Sequence, residues 1–146
     1  MAVALEEAEQ AGAAGEVPIG AVVLVNGRLV AQAGNRRERD RDPTAHAEVL
    51  ALRAAAAELG TWRLSGATLV VTLEPCPMCA GALLAARVEH VVFGAANTDS
   101  GACGTLYNLC ADPRLNHEAE VVAGVRAEAS AALLDRFFAE RRPASP

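Results

Sequence analysis

Two short segments concentrate the residues able to do chemistry: Thr44-Ala45-His46-Ala47-Glu48 and Glu74-Pro75-Cys76-Pro77-Met78-Cys79. Cysteines three apart at a helix start bring their sulfurs to one face, where they can grip a single ion. The helix N-terminus adds positive potential and free N–H groups, both of which favour thiolate over thiol. Prolines on either side of Cys76 restrict the loop before it is ordered. His46 and Glu48 are two apart, and in a helix such residues point about 200° from each other. Both can serve one site only if His46 lies at the irregular start of a helix and Glu48 in its first turn, so that two helix N-termini converge. One imidazole and two thiolates are a zinc set, and three protein ligands leave the fourth tetrahedral position to water. Two thiolates also cancel the ion's formal charge, so a nearby base must help remove the water's proton, and Glu48 is placed to do it.

The alternative is a structural zinc knuckle, which needs a fourth protein ligand from Cys103, Cys110 or His117. Glu74 competes with Glu48 for the role of base but reads as a strand-end structural residue. Cys103 and Cys110 read as buried small side chains, His90 as part of a strand and His117 as a loop residue.

The chain that must position these groups has 146 residues, 52% hydrophobic and 21% charged, enough for one globular domain spanning 1–146. Its start, MAVALEEAEQ, is acidic where an export signal is basic, and no apolar stretch approaches a membrane span. A cytoplasmic protein is expected, with four reduced cysteines available to a metal. The formal charge of −5 runs against a generally basic nucleic-acid footprint. All thirteen basic residues are arginine, with four against three acids in 36–42 and three against one in 136–142.

An Ala- and Glu-rich helix is expected over 2–14, stopped by Gly15 and Pro18. A buried strand at 19–25 turns at Asn26-Gly27 into an antiparallel return over 28–33. A helix over 47–59 closes at Gly60. A strand over 67–73, a proline-opened helix over 77–87 and a strand over 88–94 follow, with a short fifth strand at 120–122. The tail ends in a helix whose Leu133, Leu134, Phe137 and Phe138 repeat at core spacing, and residues 143–146 read as a frayed end. The alternation predicts an α/β fold: a three-layer α/β/α sandwich around a mixed sheet of about five strands.

His-x-Glu followed by Pro-Cys-x-x-Cys is the signature of zinc-dependent nucleobase deaminases. Around it, EVPIGAVV, the Asn35 segment, DPTAHAEVLALR, TLVVTLEPCPMCAGAL, VVFGA, GACGTLYNL, LNH and LLDRFFAERR cover nearly the whole chain. In these blocks the sequence resembles the bacterial tRNA-specific adenosine deaminases of the cytidine deaminase-like superfamily. The resemblance implies that fold, one zinc ion per chain on His46, Cys76 and Cys79, and Glu48 as proton shuttle. It implies that Asn35 contacts the target nucleotide and that Val17 and Pro18 wall its pocket. It sets the last helix, with Phe138, Arg141 and Arg142, near a tRNA anticodon stem-loop, and Asn97 beside the flanking nucleotides. The implied reaction converts the wobble adenosine of an arginine tRNA to inosine, by zinc-activated water, in a homodimer.

The chain departs from the family pattern in three respects. Its first helix starts about ten residues late relative to long members, its tail lacks lysines, and Asn97 stands where Asp is usual. The zinc motif itself is shared with deaminases of free guanine or a pyrimidine, which form the rival reading. A non-catalytic zinc module that binds RNA is the rival from outside enzymology.

Overall fold

The computed structural model describes residues 1–143, so Ala144–Pro146 of the expected frayed end lie outside the described residues. Helix α1 (Ala2–Ala13) stops before Gly15, whose φ of 90° no L side chain adopts easily. Strand β1 (Gly20–Val25) then turns through Asn26 and Gly27, both at positive φ, into β2 (Arg28–Gly34). That is the primed hairpin turn the Asn-Gly pair predicts. Helix α2 (Ala47–Leu59), β3 (Ala67–Leu73), α3 (Pro77–Ala85) and β4 (His90–Ala95) follow. A 3₁₀ turn at Leu109–Ala111, β5 (Glu120–Val122) and α4 (Ala127–Arg141) complete the described chain.

The sheet runs β2-β1-β3-β4-β5. β1 is antiparallel to both β2 and β3, whereas β4 is parallel to β3 and β5. Alternate residues of each strand enter opposite layers. Ala21, Val23, Leu69, Val71, Val91 and Phe93 join Ala51 and Leu52 of α2 and Leu83 of α3 in the main core. On the other face, Val22 and Val70 pack with Ala4 of α1, while Leu133 of α4 meets Leu5 and Ala8. The architecture is the expected three-layer sandwich with a mixed five-stranded sheet.

Three details differ from the periodicity. Helix α3 ends at Ala85 rather than 87, because Arg87 takes a positive φ of 64° and donates from Nη1 to the Leu84 carbonyl. Val88 is buried in the link, so β4 starts two residues later than its apolar run suggests. Phe137 is buried but Phe138 is 48% exposed, since adjacent helical residues cannot share one face.

Candidate metal centre

The two motif segments occupy the starts of α2 and α3, on the same side of the sheet. His46 is the N-cap of α2, with extended backbone at φ −73°, ψ 148°. Cys76 is the N-cap of α3, at φ −73°, ψ 174°, and Pro77 opens that helix. These non-helical caps resolve the two-residue spacing problem. His46 can turn toward the cysteines while Glu48 enters from the first turn of α2.

The His46 Nδ1 atom lies 3.6 Å from Cys76 Sγ and 3.4 Å from Cys79 Sγ. Tetrahedral coordination with ordinary zinc–nitrogen and zinc–sulfur bond lengths puts a nitrogen and a sulfur about 3.5 Å apart. The donor set and its spacing therefore fit zinc. Among the described residues this is the one group of three or more His, Cys, Asp or Glu ligands close enough to hold an ion. Cys103, Cys110 and His117 are not part of it, so the fourth ligand of a structural knuckle is lacking there.

The local electrostatics point the same way. Cys76 is pulled down to about 4, first by the hydrogen bond from the Cys79 thiol and then, against its burial, by His46. Cys79 is pushed up by that same bond to Cys76, by burial and by Glu48. Without a cation one sulfur ionises at the expense of the other. A divalent ion removes that conflict and holds both as thiolates. His46 is raised by its hydrogen bond to Cys76, with burial opposing.

Two buried carboxylates flank the cluster, and their surroundings differ. Glu48 is 4% exposed, and burial raises its pKa despite hydrogen bonds from its own backbone and Cys79. Glu74, 1% exposed, accepts from the backbone N–H groups of Asn97 (3.3 Å), Cys103 (3.0 Å) and Thr105 (3.1 Å) and from the Thr105 hydroxyl. Burial pushes its carboxyl up, but those hydrogen bonds, led by Thr105, prevail and hold it below the usual range. Glu74 is thus tied into its loop as a carboxylate, whereas burial favours the protonated form of Glu48.

The other predicted residues have local surroundings of their own. Asn35 is 5% exposed; its Nδ2 donates to the Val17 carbonyl at 3.4 Å and its Oδ1 accepts from the Arg37 amide at 3.2 Å. Val17 is half-buried and Pro18 buried. Asn97 caps its own turn, accepting from the amides of Asp99 and Ser100 and donating to Ser100 Oγ at 3.1 Å. On α4, the Arg141 guanidinium sits 3.5 Å over the Phe137 ring, and Phe138 and Arg142 are exposed.

Sequence reasoning missed Glu16. Only 3% exposed, it accepts from the backbone amides of Glu38 and Arg39 at 3.2 and 2.7 Å and pins the arginine-bearing loop after β2. No local pattern reveals this, because its partners are backbone groups more than twenty residues away.

Residues 1–95 match the cytidine and deoxycytidylate deaminase zinc-binding region. Fold and centre together thus define a zinc-dependent deaminase. The chain is 55% identical to the tRNA-specific adenosine deaminase of Bacillus subtilis (strain 168), over 95% of this chain and 86% of that protein. A solved structure from work on A-to-I editing by tRNA:A34 deaminases superposes with a TM-score of 0.89. It is 43% identical and covers 92% of this chain and 97% of that one. The guanine deaminase from Nitrosomonas europaea is more distant, at TM-score 0.78 and 31% identity, covering 94% of this chain and 82% of that one. The chain belongs to the family of tRNA-specific adenosine deaminases.

Proposed function

We propose that this chain deaminates adenosine to inosine at the wobble position of a tRNA anticodon, that of an arginine tRNA. The observation that carries the reading is a three-ligand metal cluster with a buried, non-ligating carboxylate beside it. The family membership supports it.

His46 through Nδ1, and Cys76 and Cys79 through their sulfurs, would hold one zinc ion. When bound, zinc supplies Lewis acidity that makes water nucleophilic near neutral pH. Glu48 takes a proton from the attacking water and delivers it to purine N1. Glu48 then carries the remaining proton of the added hydroxyl to the amino nitrogen as the C6–N6 bond breaks, so that adenosine and water give inosine and ammonia. The burial of Glu48 raises its affinity for a proton, which suits a group that must take one up and pass it on. Asn35, Val17 and Pro18 wall the base pocket, and Asn97 shapes the loop beside the flanking nucleotides. Phe138, Arg141 and Arg142 meet the anticodon stem-loop.

A homodimer completes the proposal. The outer groove between α2 and α3 is lined by Val49, Leu52, Ala56, Ala82 and Ala85 and by the exposed Arg53, with Trp62 60% exposed at its side. A contiguous apolar face of this kind is normally covered. No helix of the described residues is long and apolar enough to cross a membrane, and reduced thiols at the centre agree with a cytoplasmic setting.

The test offers the zinc-loaded protein an unmodified anticodon hairpin, free adenosine and free guanine. Inosine should form in the hairpin alone. Conversion of free guanine instead would move the assignment to the guanine deaminase reading, which the Nitrosomonas europaea likeness favours.

A further inference from the structure

Cys103 and Cys110 take no part in the metal cluster, yet their sulfurs lie 3.6 Å apart and both side chains are buried. The intervening chain folds back as a tight loop. Cys103 bridges to Asn108, the Gly104 amide donates to the Tyr107 carbonyl at 2.8 Å, and the Leu109 amide to the Ala102 carbonyl at 3.0 Å. Two thiols are thus held in contact by backbone hydrogen bonds rather than by chance packing.

A disulfide needs a sulfur separation near 2.05 Å, so closure requires an approach of about 1.5 Å. The loop can absorb it, because Leu106 and Tyr107 at its tip are exposed and Gly104 adopts a φ of 132°. A surface cavity lined by His90, Cys110, Ala111 and Glu118 abuts the Cys110 residue, and since both side chains are buried the oxidant must be as small as hydrogen peroxide. The hydrogen bond shared by the two sulfurs lowers the Cys110 pKa against the effect of burial, which favours Cys110 as the nucleophile.

We propose that Cys103 and Cys110 are a redox-active dithiol, a modification site that hydrogen peroxide converts to a disulfide. The Cys110 thiolate attacks one peroxide oxygen, the O–O bond breaks, and the departing hydroxide takes a proton to leave as water. The resulting sulfenic acid is attacked by the Cys103 sulfur, which loses its proton as a second water departs. Two thiols are oxidised to one disulfide, and one peroxide is reduced to two waters. The bond staples a loop whose Cys103 and Thr105 amides are already held by Glu74, two residues from Cys76.

Trypsin reads the site directly. Cleavage after Arg63, Arg87 and Arg114 places Cys76 and Cys79 on one peptide and Cys103 and Cys110 on the next. The zinc-loaded full chain is treated with hydrogen peroxide, alkylated after denaturation and digested. The peptide Val88–Arg114 should lose two hydrogens and resist alkylation until dithiothreitol is added. The peptide Leu64–Arg87 should alkylate normally, and the metal content should stay unchanged. Cys103→Ala should abolish the linkage and leave Cys110 as an oxyacid. Free alkylation of both cysteines in the treated native chain overturns the proposal, as does oxidation falling first on Cys76 and Cys79 with metal release. The native peptide map decides the matter even if Cys103→Ala fails to fold. It needs no substrate, so it stands or falls separately from the deaminated base.

Discussion

Glu48 and Glu74 have the same side chain and nearly the same burial, and what touches each decides its use. Glu74 is saturated by N–H and O–H donors from one loop, whereas Glu48 sits in a desolvated site beside the ligands. Glu48→Ala should retain the metal, measured by elemental analysis, and lose about 10²- to 10⁴-fold in deamination rate, the usual contribution of a proton-transfer group. Near-native turnover would remove it from the mechanism. Glu74→Gln keeps the size but turns a buried NH2 toward backbone N–H donors, leaving at least one unsatisfied. A destabilisation of about 1–3 kcal/mol follows. Chemical denaturation should show it, together with faster hydrogen exchange across 97–105. Unchanged protection of that loop would mean that Glu74 does not hold it.

Among the elements, the approach of α1 to the sheet depends on two glycines. Gly20 and Gly34 face each other in the β1–β2 register. A Cβ on Gly20 would come 2.0 Å from the Ala4 carbonyl oxygen, and one on Gly34 2.9 Å from the Glu7 carbonyl oxygen. Gly20→Ala should therefore push α1 off the sheet and cost about 3 kcal/mol, the upper range for overpacking. A midpoint of urea unfolding equal to that of the native chain would show that α1 yields freely. These glycines show what the sequence could and could not convey. Nearly continuous apolar runs, Asn26-Gly27 and Pro77 are local signals, and they placed the strands, the hairpin and the start of α3. The ligand set was legible for the same reason, since His46 and Cys76 are helix caps and Cys79 lies in the first turn of α3, a spacing that carries the chemistry. The outward turn of Phe138 and the anchoring by Glu16 depend on which face packs and on distant backbone groups. Nothing in their immediate neighbours encodes that.

On the scale of the whole molecule, an acidic chain must present a cationic surface to RNA. The loop after β2 contributes less than its arginine count suggests, because Arg36 is paired with Asp40 at 3.0 Å. A dimer would bring arginines from two chains to one cleft. Trp62→Glu, which places a charge in the exposed α2–α3 groove, should shift the protein to monomer in sedimentation velocity, and an unchanged mass would put the subunit contact elsewhere.

The end of α4 carries three arginines against one acid over 136–142, and its two last arginines are not equivalent. Arg141 is stacked on Phe137 and donates to the Phe137 carbonyl at 3.2 Å, which fixes its direction, while Arg142 is exposed at the helix C-cap. Reversing both charges should cost about 0.5–1 kcal/mol of stability through the lost cation–π contact. The larger effect falls on RNA. Each phosphate neutralised releases a condensed counterion, contributing about 0.7 to the slope of log affinity against log salt on a single strand. Arg141→Glu with Arg142→Glu should therefore weaken hairpin binding most at low salt and flatten that slope by about 1 to 1.5. Zinc content should not change, because neither residue belongs to the metal cluster. Titration of the hairpin at several salt concentrations separates the outcomes. An unaltered slope with native affinity removes α4 from the RNA surface, whereas a uniform loss with the native slope assigns the defect to helix packing.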